Sequence, residues 1–177
     1  MAFDALKRED FLYQPYYCEE NIWHLCHDSQ LINSYAVFIA SKDDSFPMLN
    51  QRAIQNPLVP IYWDYHVVLL VLSEKNQILD FDTTLGFSVD IDTYYSQSFL
   101  LPDVDETPLF KLIPAGEFIA SFSSDRSHMK TDSGWLASPP GWPLIGKSTS
   151  NFHRFIDMTN NDFGEVLTFD EVLETFA

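Results

Sequence analysis

An α+β fold, with an antiparallel sheet packed by helices, is what this sequence predicts, and three observations predict it. The β-prone run 63–72 is followed by the polar turn Ser73-Glu-Lys-Asn76 and a second β-prone run, 77–83, which together read as a hairpin. Helical spacing appears near both ends: Ile22, Leu25 and Cys26 repeat at i, i+3, i+4, and Thr168 with Glu171 forms a T-x-x-E capping box. Finally, 177 residues of which 46% are hydrophobic suffice for one substantial core, so a single domain over 1–177 is expected.

Taken in order, the elements begin after an irregular opening rich in Tyr13, Pro15, Tyr16 and Tyr17. Residues 19–27 then read as an amphipathic helix with Cys18 at its first turn. Residues 35–40 read as a strand. Residues 43–60, with three prolines and little periodicity, read as a long surface loop. The hairpin follows. Segments 90–100 and 116–123 fit either a helix or a strand, while Ser138-Pro-Pro-Gly-Trp-Pro143 allows only an extended, proline-fixed loop. A short helix is expected over 151–158. The last helix starts from the capping box, with Leu167 and Val172 placed as its hydrophobic staple, and reaches Phe176.

Composition excludes several classes of function. Lys+Arg 10 against Asp+Glu 26 gives a net charge of −16, a field that repels a phosphate backbone, so nucleic acid is not expected as a partner. The same field attracts cations, among them the free N-terminus of a peptide. Residues 1–11 mix charges of both signs where a secretory signal needs an apolar core, and the longest aliphatic run, Val67 to Leu72, is far too short to span a bilayer. No membrane association is expected. Eight positions separate Cys18 from Cys26, roughly 12 Å along one helix, which is beyond disulfide reach. Two free thiols suit a reducing, cytoplasmic compartment, with the nucleus as a second location.

Cys18 stands out because unpaired backbone N–H groups at a helix start favour thiolate over thiol. Glu19 and Glu20 oppose that charge, so a nearby imidazolium would be needed to complete the activation. A small buried apolar residue is the alternative reading of Cys18; Cys26, deeper among core positions, reads as structural. Among five histidines, His66 stands at the beginning of the aliphatic strand, where a rigid backbone can aim it. A turn centred near Ser73 sets Asp80 opposite His66, whereas a turn centred on Glu74 sets Asp82 there, and spacing leaves both open. A cysteine at a helix start, then a strand histidine and a neighbouring carboxylate, is the order of thiol enzymes in which a third group fixes the base. Metal is not expected: Cys26 and His27 point about 100° apart on a helix, and no Cys-x-x-Cys completes a site.

Four strings in order, Tyr17-Cys-Glu-Glu-Asn-Ile-Trp-His-Leu-Cys26, Trp63-Asp-Tyr-His-Val-Val-Leu-Leu70, Asp80-Phe-Asp-Thr83 and Ser124-Asp-Arg-Ser-His-Met-Lys130, resemble the eukaryotic protein N-terminal glutamine amidohydrolases. The resemblance spans about residues 13 to 175; residues 42–56 depart from the pattern. It implies a papain- or transglutaminase-like sandwich and a Cys18–His66–Asp80 triad, selecting Asp80 over Asp82. It further implies deamidation of an N-terminal glutamine through a thioester, with no cofactor. The partners implied are proteins or peptides with a free N-terminal Gln, together with downstream enzymes of the N-degron pathway, for a chain acting as a monomer. Recognition of the substrate's free ammonium makes Glu19, Asp64 and Asp125 candidate acceptors, Arg126 a candidate for the substrate backbone and Trp63 a candidate wall. Each also reads as an ordinary core, surface or salt-bridged residue. A thiol peptidase or transglutaminase on the same scaffold, and a non-catalytic acidic interaction domain, are the rival readings.

Overall fold

Hydrophobic runs that continue without alternation require both faces of a sheet to be covered, and Val67 to Leu72 is such a run. In the computed structural model, which describes residues 6–42, 44–99, 107–146 and 149–177, this run lies at the centre of a six-stranded antiparallel sheet. The elements are α1 (Cys18–Leu25), β1 (Ser34–Ala40), β2 (Phe46–Met48), β3 (Ile61–Trp63), β4 (Tyr65–Val71), β5 (Gln77–Leu79) and β6 (Ser88–Asp90). They continue with α2 (Ile91–Ser98), β7 (Leu109–Pro114), α3 (Ala115–Ser121), β8 (Lys130–Thr131), β9 (Gly134–Trp135), α4 (Phe152–Ile156), β10 (Glu165–Leu167) and α5 (Phe169–Phe176). The sheet order is β10-β7-β1-β4-β5-β6.

Period two along β4 divides the core into two layers. Tyr65, Val67, Leu69 and Val71 pack with Cys18, Ile22 and Leu25 of α1, Phe118 of α3 and Phe155 of α4. Val68 and Leu70 pack on the other face with Tyr94 and Tyr95 of α2 and Val172 of α5. By the same alternation, His66 belongs to the α2 face. The expected α+β architecture is therefore present, and the final helix carries the complete capping box, Thr168 accepting from the Glu171 N–H and Glu171 accepting from the Thr168 N–H.

Some elements differ from the sequence reading. Part of the expected loop 43–60 is strand β2, which pairs with β3 and buries Phe46 and Met48; Asp43 lies outside the described residues. Pro47 argued against a strand there, yet a two-stranded ribbon leaves one side of each strand unpaired and accommodates it. The run 63–72 breaks at Asp64, so β3 and β4 belong to different sheets. Segments 90–100 and 116–123 resolve as helices α2 and α3, with Asp90 capping α2 by accepting from the Thr93 N–H and Leu100 outside the described residues. Strands β6, β7 and β10 carried no signal strong enough to read.

The hairpin register matters most for the site. Leu69 pairs with Leu79, Leu70 with Ile78 and Val71 with Gln77, so the turn is centred on Glu74 and an extended ladder would set Asp82 opposite His66. The ladder stops at Leu79, however, where the Asp80 N–H donates to the Phe87 carbonyl. Asp80 and His66 are diagonal neighbours, a separation that long side chains can close.

Candidate active site

The turn that delivers α1 is built by local hydrogen bonds. Tyr16 takes a left-handed φ of 67°, and the Asn21 side chain accepts from the Gln14 N–H and donates to the Gln14 carbonyl, both at 2.9 Å. These contacts set Cys18 at the first helical position, packed against β4. Behind it, Glu19 is fully buried: it accepts from the Tyr65 hydroxyl at 2.9 Å, stands 3.3 Å from His128 Nε2, and receives the Cys18 thiol at 3.7 Å. Burial first, then the charges of Glu19 and Asp82, push the Cys18 thiol well above its ordinary range, against a Val67 backbone hydrogen bond that lowers it. This agrees with the expectation that the helix start is not sufficient by itself, since desolvation and neighbouring carboxylates, Glu19 first, disfavour the thiolate. Cys18 rests as a thiol. Cys26 is a core residue whose thiol burial pushes up to about 12.

His66 is buried, stacks on Trp63 with ring centroids 5.7 Å apart, and its Nε2 is hydrogen-bonded to Asp80 Oδ1 at 3.1 Å. Burial disfavours the imidazolium, but the Asp80 charge and hydrogen bond, aided by Asp82, overcome it and raise the His66 pKa. Asp80 is likewise opposed by burial, yet His66, the Asp82 N–H at 2.8 Å and the Tyr94 hydroxyl at 2.8 Å hold it below the usual carboxylate range. Because Nε2 faces Asp80, Nδ1 is the ring nitrogen left for a reacting group. Asp82 differs from its neighbour: burial and the Asp80 charge raise its pKa, and its Oδ1 accepts from the Tyr13 hydroxyl at 2.5 Å.

Cys18 and His66 open onto one cavity of about 210 Å³, whose lining also includes Tyr16, Trp63, Asp64, Tyr65, Asp82, Met129, Leu136 and Ala137. The nucleophile candidate comes from the α1 side of the sheet and the base candidate from the α2 side. They converge at the beginning of β4, where β5 has already ended. Donor atoms of His66, Asp80 and Asp82 lie within 4.8 Å of one another, a spacing compatible with a cation, although Asp80 already accepts from three protein donors.

The remaining candidates separate clearly. Trp63 and Asp64 line the cavity, with Asp64 at its exposed rim accepting from the Tyr65 N–H. Glu19 is beneath the cavity floor rather than in its lining. Asp125 lies away from the cavity and accepts from the Ser127 N–H. Arg126 is not brought to the cavity either: it is clamped to Glu20 by two hydrogen bonds of 2.9 Å and donates to the carbonyls of Pro140, Trp142 and Pro143. Sequence reasoning missed Tyr94, Tyr65 and His128, whose contacts are non-local and leave no trace in spacing.

A histidine held by a buried carboxylate and sharing a cavity with a helix-start thiol is the equipment of thiol-dependent acyl-transfer enzymes. The chain belongs to the N-terminal glutamine amidase family, whose sequence profile matches residues 13–176. It is 40% identical to the protein N-terminal glutamine amidohydrolases of Bos taurus and Homo sapiens, covering 96% of this chain in both comparisons and 89% and 90% of those proteins. Identity to the protein N-terminal glutamine amidohydrolase of Caenorhabditis briggsae is 34%, over 94% of each chain.

Proposed function

We propose that this chain hydrolyses the side-chain amide of an N-terminal glutamine, releasing ammonia and leaving glutamate. Cys18 is the nucleophile, His66 the base and Asp80 the carboxylate that orients it. The observation that carries this reading is the convergence of the Cys18 thiol and the Asp80-bound His66 ring on one cavity, in a chain of this family. The cysteine proton passes to His66 Nδ1 as sulfur attacks the glutamine side-chain carbonyl carbon, and N–H groups of the first turn of α1 are available to the oxyanion. The imidazolium returns that proton to the departing nitrogen, which leaves as ammonia. Water, deprotonated by the same ring, then cleaves the thioester to a carboxylic acid and restores the thiol. Asp80 keeps Nδ1 free by accepting from Nε2 and stabilises the imidazolium.

For the scaffold we propose a papain- or transglutaminase-like sandwich, a reading the six-stranded sheet with its thiol-bearing helix supports; one domain over 1–177, acting as a monomer without a cofactor, completes the proposal. A cytoplasmic, and also nuclear, location accords with the two free thiols Cys18 and Cys26. Among the described residues no helix is long and apolar enough to cross a membrane. Matched peptides beginning with Gln, Asn and acetyl-Gln test the reaction by mass and ammonia release. Conversion of free Gln alone, without chain cleavage or amine incorporation, is expected; peptide-bond cleavage would overturn the reading. Cys18→Ala should reduce kcat by at least ~10⁴-fold while Cys26→Ala remains active.

A further inference from the structure

A second cavity, of about 250 Å³, adjoins the one containing Cys18 and His66 and is lined by Tyr13, Pro15, Tyr16, Arg52, Ala53, Trp63 and Asp82. Tyr16, Trp63 and Asp82 line both cavities and so form the boundary between them. A substrate's first residue has a branching geometry that must fit this boundary. Its α-carbon carries the reacting side chain, the rest of the polypeptide and the ammonium. With the side chain in the Cys18 cavity and the chain leaving through the second, the ammonium is left at the shared wall.

Resting on the function proposed above, we infer that Asp82 binds the substrate's α-ammonium and is the residue that makes the site selective for a chain terminus. Four single bonds separate the glutamine side-chain carbonyl carbon from the α-nitrogen, a reach of at most about 5 Å. The Asp82 carboxylate has a donor-set oxygen within 4.8 Å of a His66 ring nitrogen, which is compatible with that reach. One of its oxygens is fixed by the Tyr13 hydroxyl, which leaves the other to accept from a ligand. Arg8 and Arg52 donate to the carbonyls of Thr83 and Phe81, and among the described residues Asp82 forms no ion pair. His66 and Arg52 act on Asp82 only through their fields, so a bound ammonium would supply the direct ion-pair partner that offsets the cost of burying its charge. Asp64, the other carboxylate in the lining, sits at the exposed rim of the Cys18 cavity and lines no part of the second.

The test compares a Gln-initiated peptide with its des-amino analogue, the same peptide headed by a 4-carbamoylbutanoyl group, on wild type, Asp82→Asn and Asp64→Asn. Wild type should prefer the amine by roughly 100-fold or more in kcat/KM, since a site built to pair a polar group rejects the analogue lacking it. Asp82→Asn should bring that ratio close to unity, chiefly by lowering activity on the amine, while Asp64→Asn keeps it. Should Asp82→Asn fail to fold, Asp82→Ser provides the same comparison with less bulk. Equal losses on both substrates, with the ratio preserved, would mean that Asp82 acts only through His66 and overturn the inference alone. Absence of turnover of any Gln-initiated peptide by wild type would overturn it together with the proposed reaction.

Discussion

Two carboxylates two positions apart, Asp80 and Asp82, are driven in opposite directions by their partners. Asp80 receives three donors and stays ionised, while Asp82 receives one strong donor, meets its neighbour's charge and has its pKa raised. The consequence reaches the reaction's pH dependence. In the proposed mechanism His66 and Cys18 share one proton, so activity should fall when His66 binds a second proton and again when Cys18 loses its own. Since Asp80 raises the His66 pKa, the acidic limb should lie above the ordinary imidazole value. Because burial and Glu19 raise the Cys18 pKa, the alkaline limb should lie above the ordinary thiol value. Asp80→Asn should move the acidic limb to lower pH and reduce kcat on the order of 10²- to 10⁴-fold, which a kcat/KM–pH profile measures. Tyr94, buried and bonded to Asp80 Oδ2, contributes to the same balance from helix α2.

The wall of the site depends on how one helix holds a proline-rich loop. Glu20 in the first turn of α1 accepts from both Arg126 and the Trp142 indole at 2.7 Å, while the Tyr17 hydroxyl and Gln14 amide donate to the carbonyls of Ala137 and Ser138. Loop 136–143 thereby presents Leu136 and Ala137 to the cavity. Arg126 adopts a left-handed φ of 59° to reach this clamp. Arg126→Met should leave Glu20 as an uncompensated buried charge and lower unfolding free energy by about 3–5 kcal/mol, measured by urea titration. The Glu20→Gln, Arg126→Met double variant should recover part of that loss, since no net charge then remains buried. Arg126 was legible as important but not as structural: a candidate substrate-binding arginine and a buried clamp look alike until the partner, 106 positions away, is known.

A net charge of −16 over the whole chain should attract cationic peptides. For Gln-initiated peptides carrying Lys or Arg, kcat/KM should fall severalfold as salt rises from about 0.01 M to 0.15 M, while neutral peptides change little, because the Debye length shrinks from about 30 Å to about 8 Å. Equal salt sensitivity for the two peptides would show that this field does not guide binding. At this scale the fold also explains why the candidate residues come together. Cys18 and His66 belong to opposite layers of the sheet and share a cavity only because β5 stops at Leu79, opening the end of β4.

Local chemistry determined much of this protein: the helix start at Cys18, the strand bearing His66 and the capping box at Thr168 are all written in neighbouring residues. The four strings resembling one family added the choice of Asp80. Only the tertiary structure decided the hairpin's departure from its register, the Glu20–Arg126 clamp, the Tyr94 contact and the position of Asp82 between two cavities. These depend on contacts between residues far apart in sequence, whose energies come from burial and pairing in three dimensions, and such contacts leave no periodic signal along the chain.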